Sequence, residues 1–208
     1  MLLLLASALA LGMLHTVAPD HLAAVSVFVS RRPGWRRAVG YGARWGLGHS
    51  ITIVAVGGVV VLSQLRLPAH FEGSVDRAVG IVMILLGANA LRRAWRHWLH
   101  QRAHLSGHGH PAHHHDDGAL VGIGMLHGLA GSGALAVALP VTATQSTLGS
   151  IGYLAAFGAG TVLAMSVLAA TLGAAVHRAS AQSARWAVGA MTLAATASIG
   201  VGAWWVVR

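Results

Sequence analysis

LGMLHTVAPDHLAAV (Leu11 to Val25) and IGMLHGLAGSGALAV (Ile123 to Val137) share seven identities in fifteen positions at an offset of 112 residues. The same offset sets Gly40, Tyr41, Gly46 and Gly48 on Gly152, Tyr153, Gly158 and Gly160. With a small gap, Ala78-Val79-Gly80 matches Ala187-Val188-Gly189. One offset that holds across two segments separates this pattern from the chance likeness of apolar stretches. The chain therefore reads as two copies of one unit.

Six apolar segments carry the two copies: about Leu2 to Ser30 (interrupted by Pro19-Asp20-His21), Val39 to Leu65, Ala78 to Trp98, Leu120 to Leu139, Ile151 to Val176 and Trp186 to Val207. Each can cross roughly 30 Å of hydrocarbon at about 1.5 Å per residue. Of the 208 residues 55% are hydrophobic and 9% charged, against about a quarter charged in a soluble domain. The expected fold is an all-α integral membrane protein of six transmembrane helices. Residues 1–98 form the first three-helix repeat, 99–117 a histidine-rich loop and 118–208 the second repeat. Three is an odd number, so the second copy must start from the opposite face of the bilayer. Such inverted repeats are typical of secondary transporters, which hold their substrate between the halves near the midplane.

The net charge of +9 does not point to nucleic acid. All 14 cations are arginines, and most fall in the gaps between apolar runs, where topology determinants belong. Arg31, Arg32, Arg36, Arg37, Arg92, Arg93, Arg96, Arg102, Arg178 and Arg185 fall on one side, against Arg66, Arg77 and Arg208 on the other; Arg44 lies within the second segment. The positive-inside rule then places the first group in the cytoplasm and both termini outside a bacterial-type inner membrane. The apolar start, MLLLLASALALG, lacks a basic n-region and stays apolar past the point of cleavage, so an uncleaved first span is expected.

Polar residues inside apolar segments are costly unless partnered or useful. The first segment carries His15, Asp20 and His21, the second His49 in RWGLGHS, and the fourth His127 in MLHGLAGSG. On an unbroken helix Asp20 and His21 would point about 140° and 240° away from His15. Pro19 removes a backbone donor and clashes with the preceding turn, so the helix should kink or unwind there and let all three side chains face one cavity. Non-helical backbone at membrane depth is tolerated where it lines a cavity or is buried in protein. The second repeat keeps one of these groups: His15 corresponds to His127, whereas Asp20, His21 and His49 correspond to Ser132, Gly133 and Thr161. The expected site is asymmetric, with the small residues serving close helix packing.

Four imidazoles and a carboxylate suit nickel, cobalt, zinc or copper(II), while magnesium and calcium prefer all-oxygen sites. The chain has no cysteine, which excludes disulfides and thiolate ligands. Between the third and fourth segments, HWLHQRAHLSGHGHPAHHHDDG holds His97, His100, His104, His108, His110, His113, His114 and His115, then Asp116 and Asp117. Histidine-rich tracts bind metal by composition alone. This one is expected to be a flexible cytoplasmic chelator. Translocation calls for weak or successive sites, which a dense chelator is not.

HTVAPDH resembles the His-x4-Asp-His signature of the nickel/cobalt permeases. RWGLGHS and HGLAGSGAL resemble motifs of the same superfamily, particularly its urease-accessory-like membrane branch. The resemblance implies that His15, Asp20 and His21 are metal ligands, that His49 is a further ligand or selectivity residue, and that His127 belongs to the same site. The larger permeases have about eight helices, against six read here. The expected activity is transport of Ni2+ or Co2+, with Zn2+ also compatible, by alternating access and without a resident cofactor. The expected partners are the metal ion, the lipid bilayer, and a metallochaperone or a second copy of the chain, with no nucleic acid. A membrane metalloenzyme is disfavoured because nothing resembles a general base beside an open metal site, such as His-Glu-x-x-His. A membrane accessory protein that hands metal to a urease or hydrogenase without transporting it is the alternative.

Overall fold

A computed structural model describes residues 1–30, 34–63, 69–102, 117–130 and 146–207. Among them the regular structure is entirely helical. The helices are α1 (Leu2–His15), α2 (Pro19–Val29), α3 (Trp35–Ser63), α4 (Ala69–Arg102), α5 (Asp117–Ala130), α6 (Thr147–Gln182) and α7 (Ala184–Val207). Four of them contain stretches long and apolar enough to cross a membrane: Trp35–Ser63, Gly73–Arg96, Thr147–Ala179 and Val188–Val207. α1 and α2 together make a fifth if they count as one bent span. Large apolar side chains such as Leu2, Leu62, Leu85, Val167, Leu193 and Trp204 lie exposed, which suits a lipid surround rather than water. The protein is a multi-pass, all-α membrane protein.

The first apolar segment is broken where its sequence places Pro19. The N–H groups of Thr16, Val17 and Ala18 donate to the carbonyls of Met13, Leu14 and His15, a tight three-residue closure that ends α1. Ala18 is extended, with φ −58° and ψ 144°, as a residue before proline prefers. Pro19 opens α2, where its missing N–H costs nothing. The two helices bend by 62° at this break.

Of the fourth segment, expected from Leu120 to Leu139, helix is described only as far as Ala130; the remainder lies outside the described residues. The whole run from His104 to Asp116 does too.

The bundle is locked by helix crossings at glycines. A Cβ on Gly12 would overlap the carbonyl of Phe157, and one on Gly124 would overlap the carbonyl of Trp45. Gly48 meets the carbonyl of Val121, and Gly160 that of Leu9. Gly46 meets Val162, and Gly158 meets Ser50. In each couple, moving the glycine of the first pair forward by 112 residues and its partner back by 112 gives the second pair. The same contact is thus made twice, α1 against α6 and α5 against α3, with α3 and α6 crossing at the centre. Hydroxyls bridge these crossings: Ser50 Oγ donates to the Gly158 carbonyl at 2.9 Å, and Thr161 Oγ1 lies 3.3 Å from the Gly12 carbonyl and 3.1 Å from that of Phe157. Thr161, the counterpart of His49, is therefore a packing residue. α4 and α7 pair beside this core, where Ser198 Oγ donates to the Met83 carbonyl at 2.9 Å.

Candidate metal centre

The break between α1 and α2 decides what meets in the centre. His15 is the last residue of α1, and Asp20 and His21 stand in the first turn of α2. The 62° bend re-aims the first turn of α2, so residues that an unbroken helix would spread around its surface face one point. His49 comes from the middle of α3 and His127 from the end of α5. All five sequence-predicted residues meet here.

His21 is the hub. Its ring centroid lies 4.7 Å from that of His15, 5.1 Å from His49 and 5.4 Å from His127, and His15 and His49 are 5.4 Å apart. One ring nitrogen from each of His15, His21 and His49 can be chosen so that all three lie within 4.8 Å of one another. Imidazole–metal bonds of about 2.0–2.1 Å demand nitrogens somewhat closer than that.

Asp20 has a different place in the cluster. Its Oδ2 lies 3.0 Å from His21 Nδ1 and 3.8 Å from His127 Nε2, so the carboxylate stands between two imidazoles. The approach to His21 is at ion-pair distance, without the angle of a hydrogen bond at Nδ1; a carboxylate so placed favours the proton on Nδ1 and leaves Nε2 as the donor atom for a cation. Asp20 also sits favourably at the positive end of the α2 dipole.

The chemistry of the donor set suits a cation. His21, His49 and His127 are at most 2% exposed. Among the described residues, His15 Nε2 and both ring nitrogens of His21, His49 and His127 are buried without a hydrogen-bond partner. Each such orphan costs about 1–3 kcal/mol, and clustering several in one place is what a polar glue between helices would avoid. Nitrogen donors with one nearby carboxylate fit a borderline divalent ion and fit magnesium or calcium poorly.

Two aromatic residues frame the cluster that the sequence reading did not single out. Trp45 lies 5.1 Å from His127 and 5.8 Å from His21, and Phe157 lies 5.7 Å from His15, centroid to centroid. Their numbers differ by 112, so the repeat already pairs them, although the residue types differ. Of the remaining predicted residues, Ser132, Gly133, His104, His108, His110, His113, His114, His115 and Asp116 lie outside the described residues. The side chains of His97, His100 and Asp117 do as well.

Residues 24–199 match the family described as the cytochrome C biogenesis protein transmembrane region, and the chain belongs to that family. It is also 33% identical over 170 residues to the urease accessory protein UreH of Bacillus sp. (strain TB-90), a match covering 78% of this chain and 73% of the relative. No solved structure matches the chain.

Proposed function

We propose that this member of the cytochrome C biogenesis transmembrane family carries a divalent transition metal ion, nickel or cobalt before zinc, across a bacterial-type inner membrane. The observation that carries the reading is the convergence of His15, His21 and His49 with their buried ring nitrogens left without partners. His15, His21 and His49 take the ion, Asp20 holds His21 and lends a negative charge, and His127 joins through Asp20. The resemblance of HTVAPDH to the nickel/cobalt permease signature and the similarity to a protein named for urease accessory work both support a nickel-related role. The chain has no cysteine, so the ion's ligands are nitrogen and oxygen atoms. The protein acts as a carrier, with the ion as its substrate and no resident cofactor, and not as an enzyme.

Alternating access between two inverted three-helix halves is the mechanism we favour. The glycine crossings repeated at the 112-residue offset support it, because two copies of one packing arrangement can exchange roles across a central site. In this orientation both termini lie outside and the histidine-rich loop is cytoplasmic. Inward movement of a doubly charged ion gains about 4.6 kcal/mol per 100 mV, twice the single-charge value of about 2.3, so uptake needs no further energy source.

Purified protein in liposomes loaded with a metal-sensitive dye tests the proposal. Nickel and cobalt should enter at saturable rates that His21→Ala abolishes. Flux equal to that of protein-free liposomes would sink it. A second reading, favoured by the name of the relative, is a membrane-bound accessory protein that passes metal to a urease or hydrogenase without transport.

A further inference from the structure

We infer that Trp45 and Phe157 are the two seals of the histidine cluster, one at each end, and that parting one while the other stays shut exposes the ion to one face of the membrane at a time. This rests on the transport reading above and names the residues that would gate it.

The placement follows from the crossing of α3 and α6. Gly42 faces Met165, Gly46 faces Val162, and Ser50 faces Gly158, so α6 runs down as α3 runs up. Phe157, clustered with Ile53, stands level with the stretch from Ser50 to Ile53. Trp45 lies about six residues, or roughly 9 Å, nearer the start of α3. His49 falls between these levels. In helices long side chains lean towards the N-terminus. Because α3 and α6 are antiparallel, the two rings therefore lean away from each other, each over its own end of the cluster. Trp45 covers His127 and His21, and Phe157 covers His15.

Both rings are buried and packed against the imidazoles. Each is anchored to the opposite half: Gly124 approaches the backbone and ring of Trp45, and Gly12 the backbone of Phe157. Relative movement of the halves thus acts directly on the rings. Among the described residues neither ring has a hydrogen bond to break on moving, since the buried Trp45 Nε1 has no hydrogen-bond partner there and the phenylalanine side chain has no donor. An apolar constriction gates by excluding water, and a passing cation is accommodated by the π-face of the ring.

The test uses the full chain in liposomes, nickel as the probe, and nickel binding in detergent as a second readout. Trp45→Ala and Phe157→Ala should bind nickel within about threefold of the parent, while flux changes from saturable to linear in nickel concentration. The exchange variants Trp45→Phe and Phe157→Trp keep a ring at each end and should retain saturable flux. They decide the matter if the alanine variants do not fold. Parent-like saturable flux in both alanine variants overturns the assignment, as does loss of saturable flux with intact binding in the exchange variants. If the parent moves no nickel, the transport reading fails and the seals with it. If the parent moves nickel in a His21-dependent way and the alanine variants behave like it, only the seals fail.

Discussion

Asp20 turns towards its own sequence neighbour: its Oδ2 lies 3.0 Å from Nδ1 of His21. That contact suits a group that orients a ligand rather than one that binds the ion itself. If Asp20 works through His21, Asp20→Asn preserves the shape of the site and should weaken nickel binding by about 10–100-fold. His21→Ala should weaken it further, and the double variant His21→Ala/Asp20→Asn should be no worse than His21→Ala. Titration calorimetry on protein lacking residues 103–116 reads this without interference from the loop. Full additivity of the two losses would make Asp20 an independent ligand.

Acidification should release the ion. Imidazole binds metal only when neutral, so binding expels protons and weakens as pH falls. Affinity should therefore decrease on going from pH 8 to pH 5.5, and proton release on binding should vary with buffer ionisation enthalpy. A pH-independent affinity would contradict imidazole ligation.

The glycine crossings predict which substitutions the bundle rejects. Gly12→Ala and Gly124→Ala each drive a methyl group into a carbonyl of the facing helix, and each should destabilise the protein by about 1–3 kcal/mol. Among the described residues, nothing lies within 4 Å of a Cβ added at Gly58 or Gly122. There the better helix propensity of alanine should leave stability unchanged or raise it by up to about 1 kcal/mol. Thermal unfolding in detergent, followed by circular dichroism, compares the four. Equal effects at all four positions would remove the close crossings from the account.

Much of this arrangement was legible in the sequence because membrane burial makes polar residues conspicuous. His15, Asp20, His21, His49 and His127 stood out from apolar surroundings, and Pro19 announced the break that unites the first three. The contact between Asp20 and His21 was not legible, since it depends on how the first turn of α2 orients two adjacent side chains. Trp45 and Phe157 were passed over for another reason. Aromatic residues in an apolar helix look like packing, and Trp against Phe does not register as an identity in the repeat. Only their distances to the histidines, together with the 112-residue offset, set them apart.

The histidine-rich segment separates the two functional readings. Replacing residues 103–116 by a glycine-serine linker should leave nickel flux in liposomes within about twofold of the parent. In a cell that depends on urease, the same variant would lose urease activation if the chain only hands metal over. Unchanged flux supports a carrier whose translocation site lies outside this segment.

The central claim is that histidines from α1, α2 and α3 hold one ion inside the membrane. X-ray absorption of nickel bound to the variant lacking residues 103–116 tests it most directly. The account predicts one equivalent of nickel with the multiple-scattering pattern of imidazole, lost in His15→Ala/His21→Ala/His49→Ala. An all-oxygen coordination shell, or an imidazole signal that survives the triple substitution, would contradict it.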